Sequence, residues 1–384
     1  MGRLGVVVLL VGCTGTLSTT PPEADARVEV DGGRPAVDAA TDAAGFDGAI
    51  DRDSAVGRDG AVGRDSAVPD TGPGDPCEGV SCGAMEVCDP ATASCVCRGG
   101  FVDNGSGCEA PAPGDPATRT AAEVCDSWSA GRVENASPAW MDDGSSCGPG
   151  TLSRDAVDDT LRRVNVYRWL SGLRNVVDNP AIHDASMECA AMMSANRALS
   201  HGPPPSWDCY TDDGAGAAAS SNIALGVRSS PQAIDLYMED RGTPSLGHRR
   251  WILGGNLDNI GIGFSNVSGR GGQCLGVFGR GAATERGWSA YPNQGPTPVT
   301  LATQQWWSFH TYSVRLEDAS VSITRVSDGA PLEVTTDFIA GRGPPPSLRI
   351  ERQGWTPTAG ETYRVTVSLS DGSNITYDVM PVDC

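Results

Sequence analysis

The sequence predicts an α+β protein built of several parts rather than one continuous core. Three observations carry that prediction. Apolar residues recur at helical spacing between about 150 and 240, and from about 260 onward short runs alternate apolar with polar between turn residues. The 384-residue chain also holds 13 Cys, which in an exported protein read as a disulfide framework. The length is enough for two or three domains.

The first element is not part of that fold. Met1-Gly2-Arg3 opens an apolar run from Leu4 to Gly12. That run falls far below the roughly 20 residues of a membrane span, so it reads as the h-region of a signal peptide. Its end, Leu10-Val11-Gly12-Cys13, resembles a lipobox, where bacterial lipoproteins are cleaved and acylated. Residues 1–13 are therefore expected to direct export, and Cys13 to be the lipidated residue. The partner so implied is the membrane, reached through the lipid anchor, with the outer membrane or cell surface as destination because Thr14 is not an acidic retention signal. An ordinary signal peptide cut at a nearby small residue is the alternative. Several acyl chains, each methylene contributing about 0.8 kcal/mol, make a stable anchor.

Residues 14–75 contain no Cys and a single aromatic, Phe46. From Pro22 to Asp75 there are thirteen Asp/Glu against five Arg, a net −8. Ala55-Val56-Gly57-Arg58-Asp59 is repeated as Ala61-Val62-Gly63-Arg64-Asp65. Such a stretch cannot bury enough apolar surface to offset its chain entropy, so a disordered acidic stalk is expected. The whole chain carries −20, which argues against nucleic acid and anionic membrane surfaces as partners. All 28 basic residues are Arg. Schiff-base lysine chemistry and a Walker-type phosphate loop are thereby excluded.

Cys77, Cys82, Cys88, Cys95, Cys97 and Cys108 follow, spaced C-x4-C-x5-C-x6-C-x-C-x10-C, with Gly99-Gly100-Phe101 after the fifth. Spacing alone leaves fifteen connectivities open. The pattern over 76–109 resembles an EGF-like module, and the resemblance implies the pairs Cys77–Cys88, Cys82–Cys95 and Cys97–Cys108. Only Asp75 precedes the first Cys closely, so calcium is not expected. The module reads as an interaction unit or a rigid spacer. Residues 110–150 read as a linker.

Helices are expected next. One runs from about Ser153, its cap, to Leu170, with Val157, Leu161, Val164 and Tyr167 on one face and Gly172 as its stop. A second runs from Pro180 to about Leu199, with Ile182, Ala185, Cys189, Met192 and Met193 on one side. A third begins at Ser230-Pro231 and ends near Asp240, before Gly242. Ile260–Phe264 and Cys274–Phe278 read as strands.

Taken together, Val164-Asn165-Val166-Tyr167-Arg168, Leu199-Ser200-His201, Ser221-Asn222-Ile223-Ala224, Gly247-His248-Arg249-Arg250-Trp251-Ile252-Leu253 and Ile260-Gly261-Ile262-Gly263 resemble the CAP (SCP-like extracellular) superfamily. The resemblance covers about 150–280 and implies a CAP-like α-β-α sandwich over 151–282. It also implies a cleft of two His and two acidic residues that in some members binds a divalent metal such as zinc. His201 and His248 match the two His, and are the candidate metal ligands. The acid of the third helix maps to Glu239, or to Asp240 if the register slips by one. The other acid, before Asn-Ile, is here Ser221, which weakens both metal binding and any acid/base proposal. His183 and His310 have no such support. No activated nucleophile is legible, although Ser200 and Ser221 lie near the motif histidines in sequence.

The remaining six Cys are expected to pair as Cys125–Cys147 locally, Cys189–Cys209 around the His201 loop, and Cys274–Cys384 by what is left. From 283 to 384, runs such as Tyr312–Leu316, Val321–Thr324 and Tyr363–Val367, with turns at Asp328-Gly329 and Asp371-Gly372, suggest an immunoglobulin-like β-sandwich. Trp306 and Trp307 are expected in its core rather than as a carbohydrate platform. The functional expectation is a surface-anchored lipoprotein displaying a CAP-like binding domain for a lipid, glycan or protein. The competing readings are a metal-assisted hydrolase or protease, and adhesion through the EGF-like module.

Overall fold

The computed structural model describes residues 9–10, 76–77, 79–82, 86–89, 91–97, 101–103, 105–109, 112–137, 139–279 and 287–384. The Cys13 expectation and the 14–75 stalk lie outside them. Among the described residues no helix is long and apolar enough to cross a membrane.

The chain begins with β1 (Leu9–Leu10), whose partner strand comes later. The cysteine-rich segment forms two hairpins, β2 (Glu86–Asp89) with β3 (Ser94–Cys97) and β4 (Val102–Asp103) with β5 (Cys108–Glu109). Its bridges are Cys77–Cys88, Cys82–Cys95 and Cys97–Cys108, the order the EGF-like resemblance implies. Phe101 is buried in the main core of the chain, with Cys97 and Cys108 packed beside it. The segment is therefore docked onto the following domain and not strung ahead of it.

The stretch expected as a linker is structured. The chain enters α1 (Ala121–Gly131) through a capping box: Thr120 accepts from Glu123 N, and the Glu123 carboxylate accepts from Thr120 N. A small hairpin follows, β6 (Trp140–Met141) with β7 (Thr151–Leu152).

Next comes a three-layer unit. Ser153 caps α2 (Arg154–Leu170). After β8 (Val177–Asp178), Pro180–Ile182 forms a 3-10 turn, and α3 (His183–Asn196) starts only there. The chain continues through α4 (Asp212–Ala219), β9 (Ser221–Val227), α5 (Ser230–Glu239), α6 (Gly247–Ile252), β10 (Asn259–Ser265) and β11 (Gly271–Gly276). Ser229, not Ser230, caps α5. The sheet order is β1-β9-β11-β10-β8, antiparallel except where β8 joins β10.

Alternation along β10 explains the layering. Ile260, Ile262 and Phe264 enter the core that α2 and α5 share, with Val164, Tyr167, Ile234 and Tyr237. Gly261 and Gly263 face α3 instead. A Cβ on Gly263 would lie 1.8 Å from Ser186 O, and one on Gly272 of β11 would lie 2.5 Å from Ala190 O. The glycines thus let the α3 backbone rest directly on the sheet.

The C-terminal part has two sheets. One runs β12 (Trp288–Tyr291), β14 (Trp306–Thr311), β18 (Ser347–Arg352), β17 (Val334–Ile339). The other runs β13 (Gly295–Pro298), β20 (Asn374–Val382), β19 (Tyr363–Ser368), β15 (Ser320–Arg325), β16 (Pro331–Leu332). Trp307, Phe309, Leu348 and Ile350 of the first share a core with Ile323, Val365, Val367 and Val379 of the second. Trp306 and Trp307 are both buried, and Trp307 Nε1 donates to Ala302 O of the short helix α7 (Val299–Ala302) at 2.8 Å. The strand expected over 312–316 is absent, because Thr311 Oγ1 accepts from Ser313 N and Val314 N and turns the chain there.

The expected pairing of the last six Cys is corrected. The bridges are Cys125–Cys384, Cys147–Cys209 and Cys189–Cys274. Cys189 faces the sheet, not the loop, because α3 lies on β11, where Cys274 sits. That frees Cys209 for Cys147 in the loop before α2. α1 packs against β13, the parallel neighbour of β20, so Cys125 meets the chain's last residue rather than its near neighbour in sequence.

The two units are joined by α6. Arg249 is completely buried; it donates to Met238 O, Glu239 O and Trp306 O at 2.7–3.0 Å and to Ser308 Oγ at 3.2 Å. Its guanidinium also lies 4.3 Å over the Tyr291 ring. Arg250 reaches Ala340 O and Pro345 O at 2.7 and 2.8 Å, and burial draws its pKa down to about 10. Arginine suits this seam because its planar fork of five donors can satisfy several carbonyls at once.

Candidate functional site

The candidate cleft is assembled from the end of α3, the α4–β9 junction, the end of α5 and the start of α6. His201 follows α3. The loop that carries it is pinned by Asn196, whose side chain donates to Asp208 O at 2.8 Å and accepts from Asp208 N at 3.0 Å. The Cys147–Cys209 bridge fixes the loop's far end. His201 Nδ1 lies 2.8 Å from Ala218 O, a carbonyl that can only accept, so Nδ1 carries the proton and Nε2 the lone pair of the neutral ring.

His248 is buried at the start of α6. Its Nδ1 lies 2.7 Å from Asp240 Oδ1, and the other Asp240 oxygen accepts from Arg249 N at 3.1 Å. Tyr237 stacks on the imidazole at 5.1 Å between centroids. The hydroxyl of Tyr237 donates within a pair of acceptors, Gln273 Oε1 at 2.5 Å and Asn222 O at 3.0 Å, and burial pushes its pKa well above the ordinary value. Asn222 Nδ2 closes the circle by donating to His248 O at 3.0 Å. The short segment 218–222 thus holds both motif histidines, one by Ala218 O and one by Asn222.

The acidic partner is Asp240 and not Glu239. Glu239 turns outward and pairs with Arg241 at 2.6 Å. The cause is the helix end. Asp240 is the C-cap of α5 with φ +53, a left-handed conformation that Asp tolerates better than Glu. That twist turns the cap side chain back toward α6. Ser221 is buried at the start of β9, where its Oγ has no hydrogen-bond partner among the described residues.

The backbone around the cleft is unusual as well. Of the five described non-glycine residues with positive φ, two sit at its helix ends: Asp240, which closes α5, and Leu246, which precedes α6. Such conformations cost of order 1–3 kcal/mol each and cluster where function requires them. Two cleft residues escaped the sequence reading, Asn222 and Tyr237. Asn222 lay within the quoted Ser221–Ala224 motif, and Tyr237 lies three residues before Asp240, on the same face of α5.

Residues 161–278 match the family model of the Cysteine-rich secretory protein family, CAP. This segment carries the CAP family's sequence pattern. With six disulfides among the described residues, that match accords with an extracellular protein. No curated protein sequence matches the chain. Among solved structures, CopC from Methylosinus trichosporium OB3b aligns over 23% of this chain and 84% of its own, at 15% identity and a TM-score of 0.18. That likeness is too low to bear on fold or function.

The donor set of this CAP domain can be tested against a divalent metal. His201 and His248 each have Nδ1 held by a protein acceptor, the outer-shell arrangement found behind metal-ligating imidazoles. Asp240 is occupied in holding His248, Glu239 is turned to Arg241, and Ser221 offers a hydroxyl in place of a carboxylate. Among the described residues no group of three or more His, Cys, Asp or Glu converges. A catalytic zinc site uses three protein ligands and a structural site four. Two imidazoles fall short of either, so the residues described do not fit a resident metal.

Proposed function

We propose that the chain is an envelope-anchored lipoprotein that displays its CAP domain as a binding domain, not as a metallohydrolase. The observation that carries this reading is the exchange at Ser221. A CAP cleft with a carboxylate there has a second anionic group for a metal or a proton; this one has a buried hydroxyl without a partner and a His–Asp pair braced from behind. Such a cleft is polar, rigid and short of acid/base partners, and it suits hydrogen-bonded recognition. Cys13 would carry the acyl anchor, residues 14–75 would give reach, and the EGF-like module would act as a spacer fixed to the CAP domain by Phe101. The C-terminal sheets, immunoglobulin-like in this reading, brace the cleft through Arg249.

Two measurements test it. Fatty-acid labelling of the expressed chain is expected to mark the protein and to be lost in Cys13→Ser, which should also leave the membrane fraction; labelling that persists overturns the anchor. Zinc titration of the full chain is expected to give no tight equivalent. One tight zinc per chain, lost in both His201→Ala and His248→Ala, would overturn the binding-domain reading in favour of the hydrolase.

A further inference from the structure

A cavity of about 770 Å3 opens at the far end of the CAP sheet and shares no residue with the cleft. That volume lies inside the range of small-molecule sites, about 300–1,000 Å3. Its apolar wall is Trp140 of the β6–β7 hairpin, Val227 at the end of β9 and Phe264 of β10. The Trp140 ring is fixed by its Nε1–H, which donates to Pro149 O at 2.9 Å. Val227 and Phe264 are held in the sheet core. The opening exists because glycines line it: Gly226, Gly269 and Gly271 contribute no side chains, and a Cβ on Gly271 would lie 2.1 Å from Val227 O.

The rim is cationic. Arg228 and Arg270 both line the cavity, in a chain whose net charge is −20. Arg228 is exposed. Its backbone N–H is taken by Gln232 Oε1 at 2.7 Å, but its guanidinium makes no hydrogen bond or ion pair among the described residues. This sets it apart from Arg163, Arg168, Arg249 and Arg250, whose donors are spent on carbonyls and carboxylates inside the fold. An uncommitted fork of donors beside an aromatic and aliphatic wall is complementary to one kind of ligand.

We infer that this cavity binds an organic anion with an apolar body, the body against Trp140, Val227 and Phe264 and the anionic head on Arg228. Such a head can belong to a free amphiphile or to an anionic lipid in a bilayer. The apolar wall favours the free molecule, since a bilayer lipid presents its head and not its chain. This site is independent of the proposed function of the cleft.

The test uses the full chain carrying Cys13→Ser, so that no acyl group of its own competes. Dodecanoate, dodecanol and dodecyltrimethylammonium, which share an apolar body and differ in charge, are titrated calorimetrically below their aggregation limits. Dodecanoate is expected to bind at one site and at least about tenfold more tightly than the other two, the size of one charge-assisted hydrogen bond. Arg228→Glu should remove that preference, and Trp140→Ala should weaken all three. Arg315→Glu, an equal charge change at an exposed position in the C-terminal unit, should alter none. Equal affinities across the series, or equal losses in Arg228→Glu and Arg315→Glu, overturn the proposal. So does binding to phosphatidylglycerol vesicles without binding to dodecanoate.

Discussion

The two sides of α6 are built on opposite principles. Toward the cleft, His248 and Asp240 form a short pair next to a buried Ser221 hydroxyl that has no partner. Toward the C-terminal sheets, the hydrogen bonds run in a continuous chain. Arg249 donates to Ser308 Oγ, which lies 2.9 Å from His310 Nε2; His310 Nδ1 lies 2.8 Å from Ser347 Oγ, which donates to Pro345 O. The chain of bonds from Arg249 is continuous, whereas Ser221 Oγ has no partner among the described residues, as is also true of Trp306 Nε1 at the edge of the seam. Buried polar groups are ordinarily paired, so the unpartnered Ser221 hydroxyl is a desolvated group within the cleft. One seven-residue motif therefore supplies a cleft histidine at one position and an interdomain clamp at the next two.

If that contrast is right, the largest effects belong to the seam. Arg249→Met keeps most of the side-chain volume but strands Met238 O, Glu239 O and Trp306 O in a buried setting. Unsatisfied buried acceptors cost about 1–3 kcal/mol each, with partial relaxation. A loss of about 4 kcal/mol is expected in denaturant unfolding, accompanied by separate transitions for the two units. A loss under 1 kcal/mol would break the comparison. Next comes the covalent clamp. Cys125 joins Cys384 across a sequence separation of 259 residues, so the double variant Cys125→Ser/Cys384→Ser should lose about 2–5 kcal/mol. Cys147→Ser/Cys209→Ser, which closes a shorter loop of 62 residues at the cleft, should cost less.

These pairings also show what the sequence could and could not disclose. The helices, the strands and the CAP motifs are local patterns, so Ser153 as a cap or Ile260–Phe264 as a strand can be read directly from spacing. The cysteine-rich segment is equally local, and its order follows from resemblance. The other three bridges depend on which face of α3 meets the sheet and on where α1 lies against β13, which are facts of tertiary packing. Nearness in sequence misplaced two of the expected pairs, and elimination the third. The cleft was half legible for the same reason. His201, His248 and Ser221 are motif positions, whereas the choice between Glu239 and Asp240 is settled by one left-handed residue at a helix end. The role of Arg249 as a clamp was invisible, because it needs the second unit in place.

The third effect sharpens the comparison through pH. Burial, aided by Arg249 and Arg250, holds the His310 pKa well below 6.5. The unfolded chain takes up this proton as pH falls through about 6.5, and the folded chain does not. Stability from His310 is therefore present above that pH and lost below it, at up to about 1.4 kcal/mol per pH unit. His310→Gln should flatten the stability curve between pH 6 and 5 by about that slope relative to the parent. Parallel curves would show that the seam tolerates a charged ring.

The smallest effect belongs to the cleft, and it is the most informative. Ser221→Ala removes a buried hydroxyl that has no partner, so it removes no hydrogen bond and relieves a desolvated polar group. Stability should change by less than about 0.5 kcal/mol, or rise slightly. Ser308→Ala removes a hydroxyl of the same size from the seam and interrupts two hydrogen bonds, so it should cost about 1–3 kcal/mol. The pair of variants compares the two sides of α6 with chemistry held constant. If Ser221→Ala costs as much as Ser308→Ala, the Ser221 hydroxyl has a partner in solution and is bonded like that of Ser308. If the costs differ as expected, the fold keeps a desolvated polar group in the cleft at its own expense, in contrast to the bonded Ser308 hydroxyl of the seam.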